Sequence, residues 1–142
     1  MTTPAVVLHA PSTVPLRRRF MVRVAVLAAR VLARRPPERI RAILTRLQRG
    51  ARPADHATVL SVRNEVVAVS LRCGGPEGCL PRSLATVLLC RLRGQWPTWC
   101  VGVRRISPFG AHAWVEAEGT SVGEVFPPGY LITFFTVPER SG

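Results

Sequence analysis

Apolar residues recur at helical spacing in four successive stretches of the chain and then alternate at strand spacing in four more. Phe20, Val24, Leu27 and Val31 share one face of a first helix, and an apolar face of this kind is expected to pack on the rest of the domain. A second helix opens at Pro36-Pro37-Glu38, presents Ile40, Ile43, Leu44 and Leu47, and stops at Gly50. Proline in the first turn and glycine past the last are the usual punctuation. A third helix starts at Asp55 as N-cap and carries Val59, Val66 and Val69 toward Arg72. A fourth carries Leu80, Leu84, Val87 and Leu88, has Pro81 in its first turn and meets its stop signal at Gly94. Strands are expected at Thr98 to Arg104, Ala111 to Ala117, Thr120 to Val125 and Leu131 to Val137, with Glu118-Gly119 as the turn pair of a hairpin. The predicted fold is α+β, with N-terminal helices and the fourth helix packed on a small antiparallel sheet. Residues 1–14, rich in Pro, Thr and Ser, read as a flexible tail, and 15–138 as a single domain, with 15–72 its helical part and 73–138 the fourth helix plus sheet. A chain of 142 residues that is 47% hydrophobic can bury a core of its own and needs no second domain.

This placement puts Cys79 at the N-terminus of the fourth helix, behind the loop Cys73-Gly74-Gly75-Pro76-Glu77-Gly78. Unpaired N–H groups and the helix dipole favour an anion there, which lowers the thiol pKa and makes the Cys79 backbone N–H a candidate oxyanion donor. The competing reading is a small apolar residue under a loop. His112 lies 33 residues further on, near one end of the Ala111–Ala117 strand. An imidazole that can hold the thiol's proton is what thiol-dependent acyl transfer requires. A lone strand histidine is more often structural, so a third group should orient its ring, and carboxylates are the usual choice. Glu116 points to the same face but lies four residues along, about 13 Å away at ~3.3 Å per residue. Glu124, 12 residues after His112 on the return strand, is better placed. A two-residue turn would pair it with Ala113 and aim it at the wrong face, whereas a three-residue loop or a bulge would bring it to the histidine's face. The odd loop is the expectation.

Three segments together carry a family resemblance: Cys79-Leu80-Pro81-Arg82-Ser83-Leu84-Ala85, Trp99-Cys100-Val101-Gly102-Val103-Arg104, and Pro108-Phe109-Gly110-Ala111-His112-Ala113-Trp114-Val115-Glu116. In combination they resemble the stand-alone leader peptidase of lasso-peptide biosynthesis, a transglutaminase-like, papain-related cysteine protease, over residues 15–138. The resemblance implies Cys79 as nucleophile, His112 as general base and acid, and an acidic residue at Glu124, where family members often carry aspartate, as the group that orients the ring. It implies as substrate a ribosomally made precursor peptide cut between leader and core. It also implies a separate small leader-binding protein and a separate ATP-dependent cyclase that closes a macrolactam on the new amine. Hydrolysis and amide formation use the same three groups, so a transglutaminase is the alternative enzyme, and an arginine-rich binding module with incidental Cys79 and His112 is the non-enzymatic one. The chain shows no phosphate-binding loop, and neither ATP use nor a cofactor is expected.

The formal charge of +12 comes entirely from arginine, since the chain contains no lysine, and twelve of its 20 arginines fall between Arg17 and Arg52. Such a field suits an acidic peptide or small protein, and Arg34, Arg35 and Arg41 are the candidate docking residues. Nucleic acid is not expected, because no helix-turn-helix, zinc-finger or stacking-aromatic motif accompanies the charge. Arg17-Arg18-Arg19 superficially resembles an export signal. Arg23 and Arg30 leave only Val24 to Ala29 uncharged, shorter than the ~7–15 residues of a signal core, so a cytoplasmic location is expected. Membrane-surface binding by this first basic helix ranks below packing on the domain. Cys73, Cys79, Cys90 and Cys100 stand five to ten residues apart, unlike zinc ligands, so neither a metal nor disulfides are expected. Cys90 and Cys100 read as core packing, and Cys73 as a residue near the cleft. His9 in the tail and His56 at a helix start have ordinary surface roles by default.

Overall fold

Four helices stand against a small antiparallel sheet in the computed structural model, which describes residues 15–70, 78–105, 110–124 and 129–138. The helices are α1 (Leu16–Leu32), α2 (Pro37–Leu47), α3 (His56–Val69) and α4 (Cys79–Leu92). The strands are β1 (Arg52–Pro53), β2 (Gln95–Trp96), β3 (Thr98–Arg104), β4 (Ala111–Ala117), β5 (Thr120–Ser121) and β6 (Leu131–Val137). The expected α+β architecture is present, and three of the four expected strands have the expected ends. The expected tail at 1–14 and Cys73 lie outside the described residues.

α4 is the central element. Ser83 to Val87, Leu89 and Cys90 are all buried. α1, α3, β4, β2 and β3 all pack against it. Trp99 sends its indole N–H to the Ser83 hydroxyl at 3.1 Å, and Trp96 sends its own to the Val137 carbonyl at 3.2 Å. These bonds let two large aromatics sit fully inside without stranding a donor. Asp55 caps α3 as expected, accepting from the Thr58 N–H at 3.2 Å and its hydroxyl at 2.7 Å. α3 ends at Val69, and Arg72 lies outside the described residues.

The first helix departs from expectation. Its buried residues are Val22, Ala25, Val26 and Ala29, while Phe20, Val24, Leu27 and Val31 are 69, 47, 62 and 52% exposed. α1 has two apolar faces, and the one bearing alanines packs inward because small residues let its backbone come close to α4 and α3. On the buried side Arg18 also reaches Glu65 at 3.6 Å, a carboxylate that Arg93 binds at 3.2 Å.

The main sheet has the order β5-β4-β3-β6, all antiparallel. β1 and β2 form a separate parallel pair, with Arg52 opposite Gln95 and Pro53 opposite Trp96. Two residues per strand are too few to leave a period-two signal in sequence. The expected strand over Thr120 to Val125 is regular only at Thr120–Ser121, with one further cross-strand bond at Val122, and Val125 lies outside the described residues. The expected odd loop is absent as well: Ala117 pairs with Thr120 across Glu118 (φ 56°) and Gly119 (φ 79°), a two-residue turn with both central residues left-handed. His56 ties α3 to this hairpin, its N–H donating to Glu118 Oε1 at 3.2 Å and its Nε2 lying 3.4 Å from the Ser121 carbonyl.

β3 and β6 slip register between Val101 and Gly102, so that Val101 faces Phe135 while Gly102 faces Thr133. A Cβ at Gly102 would lie 1.8 Å from the Ile132 carbonyl oxygen, which is backbone and cannot swing away. Gly102→Ala should therefore destabilise the protein by about 1–3 kcal/mol, read as a lowered urea midpoint. A midpoint like that of the parent would mean that the two strands are not held this close.

Candidate active site

Cys79 is the first residue of α4, with Gly78 as N-cap. The first intrahelical bond runs from the Arg82 N–H to the Gly78 carbonyl at 2.8 Å, so the helix supplies no acceptor for the Cys79 N–H. Pro81 sits in the first turn, where its missing N–H costs nothing. The placement at a helix N-terminus read from sequence is observed, and the thiol there is half-buried rather than enclosed.

His112 reaches the same point from β4. Its ring is 5% exposed and stacks on Trp114, two residues along the same face, with centroids 5.7 Å apart and planes inclined by 19°. His112 Nε2 meets Glu124 Oε1 at 2.6 Å, and the ring hydrogen-bonds the Cys79 thiol. Cys79, His112 and Glu124 are thus brought together in the order sequence reading proposed. Glu116 is elsewhere, accepting from the Trp114 indole N–H at 3.1 Å.

The two-residue turn would have aimed Glu124 at the wrong face, so the correction to its orientation comes after the turn. The Val122 N–H still donates to the Val115 carbonyl at 2.9 Å, keeping the hairpin register. Gly123 then adopts φ +74° and breaks the ladder, turning Glu124 toward the histidine. The break has a second effect. Continued pairing would have matched Ala113 with residue 124 and consumed the Ala113 N–H. Because β5 ends early, that N–H is available on the open edge of β4, and it donates to the Cys79 sulfur.

Arg63 of α3 completes the group, with Nη2 3.9 Å from Glu124 Oε2. A Cβ at Gly123 would lie 2.6 Å from the Arg63 Nε, so glycine there provides both the left-handed turn and the room for this arginine. Sequence reading did not find Arg63, one arginine among 20 with no motif around it.

The electrostatics favour a thiolate beside an imidazolium. Burial opposes ionisation of Cys79, but the His112 hydrogen bond, the Ala113 N–H and the His112 and Arg82 charges outweigh it and hold the thiol below its ordinary value. The bonds to Cys79 and Glu124 lift His112 to about 9 against the opposing effect of burial. Burial pushes Cys90 up to about 12 and raises Cys100 as well, so these two buried thiols are inert packing, as expected.

Cys79 and His112 open on a cleft of about 320 Å³ walled by Ile40, Leu80, Trp99, Val101 and Phe135, with Arg35 on its lining. A neighbouring groove along α2 shares Pro37 and Phe135 with it and carries Arg41, whose guanidinium lies over the Phe135 ring at 5.3 Å from the centroid. Arg35 and Arg41 of the three expected docking residues therefore border the cleft system. Arg34 is exposed beside it in sequence.

Alkylation by iodoacetamide, followed by peptide mapping, should titrate Cys79 with a midpoint below the ordinary thiol value of 9.0. His112→Ala removes the strongest influence that lowers this pKa and leaves burial in place. Its midpoint should move up, and labelling at neutral pH should slow about tenfold for each unit of the move. An unmoved midpoint would show that the two groups do not share a proton.

Residues 22–134 match the transglutaminase-like superfamily, whose members are typically cysteine-protease-like enzymes. No curated protein and no solved structure matches the chain. The matched span takes in most of α1, the three other helices, most of β6 and the whole Cys79–His112–Glu124 group, so the chain belongs to the transglutaminase-like superfamily.

Proposed function

We propose that this protein is a cysteine peptidase that removes the leader from a ribosomally made lasso-peptide precursor, with Cys79 as nucleophile, His112 as acid and base, and Glu124 as the group that orients the ring. The observation that carries the reading is the Cys79 thiol at a helix N-terminus, hydrogen-bonded to a buried histidine that Glu124 holds at 2.6 Å, opening on an apolar cleft. The resemblance of the Cys79–Ala85, Trp99–Arg104 and Pro108–Glu116 segments to the lasso-peptide leader peptidases supplies the substrate class.

In this mechanism the Cys79 thiolate attacks the scissile carbonyl carbon, forming a C–S bond while the carbonyl oxygen takes up the negative charge. The Cys79 backbone N–H faces that oxygen. His112 gives its ring proton to the leaving amine as the C–N bond breaks, leaving a thioester and releasing the core peptide. Water then loses a proton to His112, attacks the thioester and frees the leader carboxylate with the thiol restored. Glu124 and Arg63 touch no substrate atom. They fix the ring and balance its charge.

A separate leader-binding protein presents the scissile bond, and the macrolactam-forming cyclase acts afterwards. Tethered delivery raises the effective concentration to the order of millimolar. Arg34, Arg35 and Arg41 are the proposed docking surface for the acidic partner or leader, at the mouth of the cleft.

Purified chain, incubated with a precursor peptide and its leader-binding protein, should yield separate leader and core by mass spectrometry. A peptide–amine crosslink would instead identify an amide-forming transglutaminase, and an unchanged peptide a non-enzymatic binder. Cys79→Ala should abolish cleavage while Cys90→Ala, once folding is controlled, retains it. Glu124→Gln should slow cleavage by two orders of magnitude or more with the fold intact. Near-parental turnover in either Cys79→Ala or Glu124→Gln would overturn that residue's role.

The pH profile follows from the direction of the histidine's shift. The leaving amine needs a protonated His112, and its pKa is raised to about 9, so activity should be kept through neutral pH and lost as pH rises through about 9. A limb falling near 6.5 would contradict the ion pair.

Charge reversal of Arg34, Arg35 and Arg41 together should weaken partner-stimulated cleavage and leave Cys79 alkylation unchanged. Unaltered stimulated kinetics would place the docking surface elsewhere.

A further inference from the structure

We propose that the outward face of α1 is a docking surface for an anionic lipid membrane. The proposal is independent of the peptidase reading. α1 is fixed to the body of the protein by Val22, Ala25, Val26 and Ala29. The opposite face presents Leu16, Phe20, Val24, Leu27 and Val31, each between 47 and 81% exposed. These five lie within a quarter-turn of one another, and from Leu16 to Val31 they form a stripe about 22 Å long at 1.5 Å per residue. Arg17 flanks it on one side, and Arg23 and Arg30 on the other.

What distinguishes this face is what it omits. Every exposed residue of α1 is leucine, valine, phenylalanine, alanine or arginine, with no acid, amide or hydroxyl among them. Acyl chains satisfy the first group and phosphates the second, and basic flanks around an apolar stripe form the pattern of a helix lying in a bilayer interface. A protein partner would need hydrogen-bonding groups to match across its rim, and this face offers none besides guanidinium.

Beside the stripe, Arg23, Val26, Leu27, Arg30, Val69 and Ser70 line a depression of about 430 Å³. Two arginines two helical turns apart on its wall, next to Leu27, suit a phosphate headgroup whose tails run along the stripe. No described helix is long and apolar enough to cross a membrane, so the contact is peripheral. The arginine-only basic field of the N-terminal third adds long-range attraction to a negative surface.

The test is flotation of the full chain with vesicles of phosphatidylcholine containing phosphatidylglycerol, and with vesicles of phosphatidylcholine alone. The chain should float with the anionic vesicles at low salt and less so as salt rises. Phe20→Gln with Leu27→Gln keeps every charge and should lower the partition coefficient at least tenfold. Arg23→Glu with Arg30→Glu should abolish the preference for anionic vesicles. Retention of Cys79 alkylation rates in both variants shows that the fold persists. Failure of the parent chain to float overturns the proposal. So does equal flotation of the Phe20→Gln, Leu27→Gln variant, which would reduce the effect to unspecific charge. Dimerisation of the parent chain that this variant abolishes would assign the face to a second copy instead.

Discussion

The hydrogen bond between His112 and Glu124 is the interaction on which the site depends, and much of the local architecture is arranged around it. At 2.6 Å, between side chains 5 and 6% exposed, it sits where water contributes little. A buried carboxylate without compensation would cost several kcal/mol, and removing one member of such a pair leaves the other charge stranded. Arg63 supplies a second cation at 3.9 Å, so the carboxylate is held from two sides. α3, which contributes nothing to the cleft wall, is also pinned to the hairpin through His56 and Glu118. A drift of α3 would move Arg63, then Glu124, then the histidine ring.

Three cysteines in one small core show how far environment, rather than residue type, sets reactivity. All are desolvated to some degree, and in each desolvation is the largest single effect on the thiol. Cys90 and Cys100 have acidic neighbours, Glu65 and Glu116, that add to the rise. Cys79 has His112, Arg82 and the Ala113 N–H, and these reverse it. The early end of β5 is the hinge of this difference. A longer strand would have satisfied Ala113 in the sheet and pointed residue 124 away from the ring.

Fold class, Cys79 at its helix start, and β3, β4 and β6 were legible because each rests on a local period or a cap. The wrong expectations were those that needed a partner to decide them. Two apolar faces on α1 both satisfy helical spacing, and only the alanine face fits closely against α4 and α3. Glu124 is His112's neighbour as expected, but not by the expected route, since an odd loop and a glycine break after an even turn give the same parity. Gly123 was the visible clue, a glycine just before the residue that had to change face. Arg63 left no clue, because its role comes from how α3 lies across the hairpin.

Shape separates the two arginine surfaces. Around Arg35 and Arg41 the cations border a concave, apolar cleft with an aromatic floor at Phe135, a shape that can select one extended chain. Along α1 the cations border an exposed stripe of aliphatic and aromatic side chains, with the depression lined by Arg23 and Arg30 beside it, an arrangement that suits a surface that is itself fluid. Electrostatic attraction toward both comes from the same unbalanced charge, so selectivity between them has to come from shape. The two proposed surfaces share no residue, Arg35 and Arg41 lying on one and Arg17, Arg23 and Arg30 on the other.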